Sequence, residues 1–193
     1  TTSNVTKILD TIKSQGYSFV VRYYSKSGNS KRMSVAESSS IIKSDLKLVV
    51  VYENLHNAYS KFNASIAETD AIDAINQAKA HGQPSSTIYF AVDYDFYEFE
   101  VEEMIIPYFQ GINDYAAANF MPYSIGIYGA RNTCTLVRKA GLSSSSFVSD
   151  LSTGYSGNLG FPLPEDWAFD QVKEYRLYYS GGDFGIDKNV TSG

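Results

Sequence analysis

The sequence predicts an α/β fold with a parallel sheet, and three observations carry that reading. Short runs rich in Val, Ile, Phe and Tyr alternate with longer stretches of helical character, the pattern of strands joined by helical crossovers. With 193 residues and 44% hydrophobic positions the chain fills one core and falls short of two ordinary domains, so residues 1–193 read as a single domain. Polar or charged residues close the strand candidates at their C-terminal ends, where parallel α/β folds gather their chemistry.

In chain order, a helix over Val5–Gln15 stops at Gly16, and the apolar run Tyr17–Tyr24 follows as a strand. Ser34 stands three residues before Glu37 as a capping box that opens a helix over Ser34–Ser44. Leu46–Glu53 is the second strand. A long loop, 54–68, leads to a helix over Thr69–His81 that Gly82 ends, and Thr87–Asp95 is the third strand. In the next helix, Glu98–Asn119, Pro107 predicts a kink or break and Gly111 weakens the segment further. Tyr123–Gly129 is a strand, Asn132–Ala140 a helix stopped by Gly141, and Phe147–Leu151 a short strand. A second long loop, 152–166, precedes strands at Trp167–Val172 and Ile186–Val190; loops of this length in a compact domain are usually functional.

A parallel sheet covered on both faces is either a doubly wound open sheet or a (β/α)8 barrel. The open sheet is disfavoured because the segment after the first strand, Ser25–Ser30, holds only Gly28 and lacks the dinucleotide fingerprint. A barrel gathers Arg22, Glu53, Asp93, Asp95, Tyr128, Asp150, Gln171 and Asp187 around one mouth. An eight-stranded barrel usually takes about 250 residues. Seven strands in a shorter chain therefore predict that a piece is missing.

Strand parity sharpens the site. A period of two puts Ile88, Phe90 and Val92 on one face and Tyr89, Ala91, Asp93 and Asp95 on the other. Likewise Val49, Val51 and Glu53 share a face, and Gly126 with Tyr128 oppose Ile125 with Ile127. In a barrel the apolar face meets the helices, so Glu53, Asp93, Asp95 and Asp187 are expected to point into one cavity. Such a ring of acids lets some carboxyls hold protons while others stay ionised, which acid/base hydrolysis of a glycosidic bond requires. For Asp95 the competing expectation is that it caps the helix beginning at Glu98. Tyr23, Tyr24, Tyr52, Tyr94, Tyr97 and Tyr128 cluster near the predicted mouth, with Trp167 on a later strand; their rings serve either sugar stacking or barrel packing. Arg22, Tyr24, Tyr128, Asp150, Trp167 and Gln171 are the expected substrate contacts.

Other function classes are excluded or disfavoured. Acids outnumber bases 21 to 16, the net charge is −5, and no basic cluster exceeds Lys31-Arg32, which argues against a nucleic-acid partner. No stretch approaches the roughly 20 apolar residues that span a bilayer, and the opening Thr1-Thr2-Ser3-Asn4 has no signal-peptide character, so the chain reads as a soluble piece. A single Cys134 forms no internal disulfide, and two His give no metal-ligand spacing, so neither metal nor cofactor is expected. Nor does an EF-hand-like run occur. A Ser nucleophile is disfavoured because no Gly-x-Ser-x-Gly elbow exists and His56 and His81 fall in a loop and at a helix end. Cys134, at the start of a helix, reads as a small packed residue ahead of a reactive thiol. Sequons at Asn4, Asn63 and Asn189 carry little weight in a chain this rich in Ser and Thr.

Five segments together resemble a bacterial domain family called glycoside-hydrolase-like: Phe19-Val-Val-Arg-Tyr-Tyr, Ile88-Tyr-Phe-Ala-Val-Asp-Tyr-Asp, Ile105-Ile-Pro-Tyr-Phe-Gln-Gly, Ile125-Gly-Ile-Tyr-Gly, and Trp167-Ala-Phe-Asp-Gln with Gly185-Ile-Asp-Lys-Asn. The match runs in order over essentially the whole chain. The family is related to the family 25 muramidases, TIM barrels that cut peptidoglycan glycan strands. The resemblance implies a (β/α)8 TIM-barrel-like fold, a peptidoglycan polysaccharide substrate, a secreted or cell-wall location, and further domains in a longer parent chain. Two departures stand out. Muramidases carry Asp-x-Glu on the fourth strand with Glu as the general acid, whereas the matching positions here are Asp93 and Asp95, and Glu53 is the alternative acid. The family also opens with a strand bearing Gly, an aromatic and Asp, so the first strand is the piece expected to be missing. The implied alternatives are a glycosidase and a catalytically inactive glycan-binding module.

Overall fold

A computed structural model of the chain describes residues 1–54 and 58–193, so His56 lies outside the described residues. The β-branched and aromatic runs form β1 (Phe19–Tyr24), β2 (Lys47–Tyr52), β3 (Thr87–Ala91), β4 (Ser124–Gly129), β5 (Ser146–Val148), β6 (Trp167–Tyr179) and β7 (Gly182–Thr191). They hydrogen-bond in sequence order in one sheet, parallel from β1 through β6. The sheet curls into a TIM-barrel-like half-barrel with helices outside it and one strand fewer than eight among the described residues.

The helices are α1 (Leu9–Ser14), α2 (Val35–Lys43), α3 (Ala64–Ala80), α4 (Glu98–Glu100), α5 (Ile106–Ala118) and α6 (Arg131–Lys139). Ser34 caps α2, accepting the Glu37 N–H at 3.2 Å. Helix α3 begins at Ala64 rather than Thr69, because Asn63 accepts the Ile66 N–H at 3.0 Å and supplies an N-cap. The loop expected over 54–68 is shorter accordingly. Pro107 lies in the first turn of α5, directly after a π-helical turn at Val101–Ile105; the missing N–H and the wide turn coincide, as the proline predicts. Gly111 has a packing role: a Cβ there would fall 2.9 Å from the Ala67 Cβ, so its absence lets α5 close on the alanine face of α3.

Parity divides the interior as the alternation predicts. Val21, Val51, Tyr89, Ala91, Tyr128 and Phe147 form the barrel-side core, with Tyr23, Val49 and Phe169 packed against it. Val20, Val50, Ile88, Phe90, Ile125 and Ile127 join the helix-side core with Ile41, Ala71, Phe109 and Val137. Gly126 gives the barrel side its room, since a Cβ there would meet the Tyr89 ring at 2.6 Å.

The last strand departs from the parallel expectation. β6 continues to Tyr179, turns over Ser180-Gly181 and returns as β7 antiparallel to it, with a register slip between Gln171 and Lys173. Apolar alternation carries no direction, and the sequence signal for the hairpin is the Ser180-Gly181-Gly182 turn. Asp187 therefore faces Glu174 across a hairpin instead of ending a parallel strand.

Candidate functional site

The barrel side of the strands leads up to two phenols. Tyr23 from β1 and Tyr128 from β4 stand on the interior face, and the Tyr128 hydroxyl donates to Gln171 Oε1 at 2.5 Å. Burial raises both phenol pKa values. The negative charges of Glu53, Asp187 and Asp93 raise them further, and Tyr23 adds to the effect on Tyr128. The same three carboxylates, Glu53, Asp93 and Asp187, lie within electrostatic reach of both rings. Both phenols stay neutral, and the Tyr128 O–H is already given to Gln171.

Each acid is held differently. Glu53 follows β2, is 6% exposed, and pairs with Lys31, whose ammonium also lies 5.4 Å from the Tyr23 ring centroid. Asp93 follows β3, beyond the last strand residue Ala91, where the Val92 N–H still donates to Tyr128 O at 2.7 Å. Tyr155 approaches Asp93 from the loop over 152–166, its hydroxyl 3.4 Å from Oδ1, and burial with the Asp93 charge pushes the phenol up to about 12. Asp187 lies 3.5 Å from the Thr1 nitrogen and borders the narrow pocket formed by Tyr23, Tyr128, Gln171 and Asn189. Asn189 Oδ1 is buried there without a partner among the described residues.

Asp95 neither caps α4 nor faces these phenols. Tyr97 and Glu100 make the cap, with the Tyr97 N–H donating to Glu100 Oε2 at 2.8 Å. Asp95 Oδ1 instead accepts the Ser156 N–H and the Ser156 hydroxyl, both at 2.7 Å.

Four expected substrate contacts lie elsewhere. Arg22 shares the helix-side face with Val20 and Tyr24, is 1% exposed, and donates from Nε to Glu37 Oε1 at 2.7 Å. The parity applied to β2 and β3 already assigns it there. Tyr24 is buried on the same side, its hydroxyl donating to Gln83 Oε1 at 2.9 Å and its ring 5.0 Å from that of His81. Asp150 is gripped by Arg131, whose Nε donates to Oδ1 at 2.6 Å. Trp167 opens β6 four residues before Gln171, roughly 13 Å down the strand from the mouth. The rise per residue decides that placement. Of the six tyrosines grouped by sequence, Tyr52 is buried on the helix side and bonds Asp70 and Asp73, while Tyr94 and Tyr97 are exposed after β3.

Several participants carry no sequence signal of their own. Lys31 reaches Glu53 across 22 positions, and Arg131 reaches Asp150 across 19. Asp170, beside Val148 in the register, has its carboxyl raised to about 6 by burial and by the neighbouring Asp150. Tyr155 and Ser156 lie in the loop that length alone marks as functional. Among the described residues no group of three or more His, Cys, Asp or Glu is arranged to hold a metal ion, and no helix is long and apolar enough to cross a membrane.

Comparison with known proteins supplies a family. The model of the Rv2525c-like, glycoside hydrolase-like domain matches residues 10–191. Two uncharacterised Bacillus subtilis proteins are similar, FadG at 42% identity over 190 residues and YbfG at 40% over 197. Each alignment covers 95% of this chain but only 33% and 27% of those proteins, so the chain spans about a third of the first relative's length. In fold, the Tat-secreted protein Rv2525c of Mycobacterium tuberculosis superposes with a TM-score of 0.78 at 18% identity, covering 98% of this chain and 91% of that one. The modular autolysin LytC of Streptococcus pneumoniae, solved also with a synthetic peptidoglycan ligand, gives 0.59 at 14% identity, covering 92% of this chain and 41% of its own.

Proposed function

Because the chain belongs to the Rv2525c-like, glycoside hydrolase-like domain family, we propose that it acts on a bacterial cell-wall polysaccharide, hydrolysing a glycosidic bond in peptidoglycan glycan strands. The observation that carries the reading is the gathering of Asp187 with Tyr23, Tyr128 and Gln171 in one pocket, with Glu53 tied to Lys31 beside the Tyr23 ring and Asp93 beside Tyr155. Asp93 and Glu53 form the carboxyl pair. One of the two gives a proton to the leaving oxygen and the other stabilises the positive charge developing on the sugar, with Glu53 held in place by Lys31. Asp187, Tyr128 and Gln171 orient the sugar through hydrogen bonds. An autolysin with a peptidoglycan ligand and a Tat-secreted protein among the structural neighbours support a wall substrate and an extracellular location, alongside further domains of a longer parent.

A second reading, a catalytically inactive glycan-binding module, draws on one specific observation: Asp95, which matches the general-acid position of the related muramidases, has its Oδ1 taken up by Ser156. Digestion of purified peptidoglycan separates the two. New reducing ends from the native chain, absent with Asp93→Asn, support hydrolysis; retention on cell walls with no release above that control supports the binding module.

A further inference from the structure

The loop over 152–166 is built as a rigid strap beside Asp93. Its inner end is tied to α6, where the Arg131 N–H donates to Asn158 Oδ1 at 2.9 Å and the Asn132 N–H donates to Gly157 O at 2.9 Å. The Asn158 amide donates to Ser149 O and Ser152 O at 2.9 and 3.0 Å, and the Arg131 guanidinium reaches Phe161 O at 2.9 Å. Gly157 passes so close to α6 that a Cβ would fall 2.9 Å from the Ala130 Cβ. At the tip, the two 2.7 Å bonds from Ser156 to Asp95 fix the residue next to Tyr155. The Tyr155 hydroxyl stands 3.4 Å from Asp93, too far for a strong hydrogen bond and near enough to reach a group bound over that carboxyl.

We propose that Tyr155 is a substrate-binding residue that donates its hydroxyl to the sugar held over Asp93, and that Asp95 is a positioning residue that clamps the strap through Ser156. The inference rests on the glycan reading of the same site. It gives the carboxylate that matches the muramidases' acid position a different role, in which Asp95 holds the loop and the proton chemistry stays with Asp93 and Glu53. An acceptor occupied by two donors on one oxygen serves this role well, because removing it releases both bonds at once.

The experiment uses the native chain, Tyr155→Phe, Asp95→Ala, Asp95→Asn and the Asp95→Ala/Tyr155→Phe pair, with a soluble oligomer of β-1,4-linked N-acetylglucosamine as the calorimetric ligand. Tyr155→Phe is expected to weaken binding about 3- to 10-fold, the loss of one hydrogen bond. Asp95→Ala is expected to match that loss and to speed amide exchange over 152–166, while Asp95→Asn, which keeps an acceptor oxygen, restores most of both. In the double variant Tyr155→Phe adds nothing further, a non-additivity that a merely structural loop would not produce. Native binding left unchanged by Tyr155→Phe overturns this inference and leaves the glycan reading standing. A native chain that neither binds the oligomer nor releases reducing ends from peptidoglycan overturns both.

Discussion

Replacing Arg22 with leucine is expected to cost stability rather than ligand affinity. Arg22 and Glu37 each have side chains 1% exposed, and the guanidinium donates to both carboxylate oxygens, at 2.7 and 3.2 Å. Without it, Glu37 keeps the Val5 N–H at 3.0 Å, one neutral donor against a full buried charge. Removing one member of a buried ion pair costs about 3–5 kcal/mol, because the remaining charge is desolvated and uncompensated. For a domain of this size each kcal/mol moves the midpoint by about 2–4 °C, so Arg22→Leu should lower Tm by roughly 6–20 °C. Adding Glu37→Leu removes the stranded charge and should recover most of the loss. Urea unfolding of the two single variants and the pair, with oligosaccharide calorimetry on the folded proteins, measures both effects. A native-like unfolding midpoint for Arg22→Leu together with lost glycan binding would refute the helix-side placement of this residue and return it to the mouth.

Two further outcomes follow from the packing and the charges. Asp170 has its carboxyl raised to about 6, above its unfolded value of about 3.9, by burial and by Asp150. The native state therefore binds the extra proton in that window, and the contribution of Asp170 to stability is full below about pH 4 and is lost as pH rises through about 6. Asp170→Asn should flatten this slope in urea midpoints measured across the window; an unchanged slope would assign it to other groups. Gly111→Ala should destabilise by about 1–3 kcal/mol through overpacking of α3 against α5, outweighing a helix-propensity gain of about 1 kcal/mol. A stabilised variant in denaturant unfolding would show that the two helices part without cost.

Much of the fold is legible in the sequence because alternation and parity are local. The faces of Ile88–Val92, Val49–Val51 and Ile125–Tyr128 follow from a period of two, and the structure places them on the expected sides. Direction is not legible: β7 has the same alternation whether it runs parallel or returns through a hairpin, and Asp187 approaches the mouth from a strand whose polarity is opposite to the expected one. Closeness to a strand end points Arg22 and Tyr24 to the mouth, whereas parity sends them to the helices. Asp150 and Asp95 resemble mouth acids in sequence because their partners are remote along the chain: Arg131 meets Asp150 from the start of α6, and Ser156 meets Asp95 from the 152–166 loop. The start of α3 escapes the sequence pattern although Asn63 is a good cap, since the residues before Thr69 lack a clear apolar period.

Whether the barrel mouth faces a glycan is decided by NMR titration of the isotope-labelled chain with the β-1,4-linked N-acetylglucosamine oligomer. Saturable shifts are expected at Tyr23, Glu53, Asp93, Tyr128, Tyr155 and Gln171, with Arg22, Tyr24 and Trp167 unmoved. Saturable shifts confined to surfaces away from these residues, or no saturable shifts at all, would contradict it.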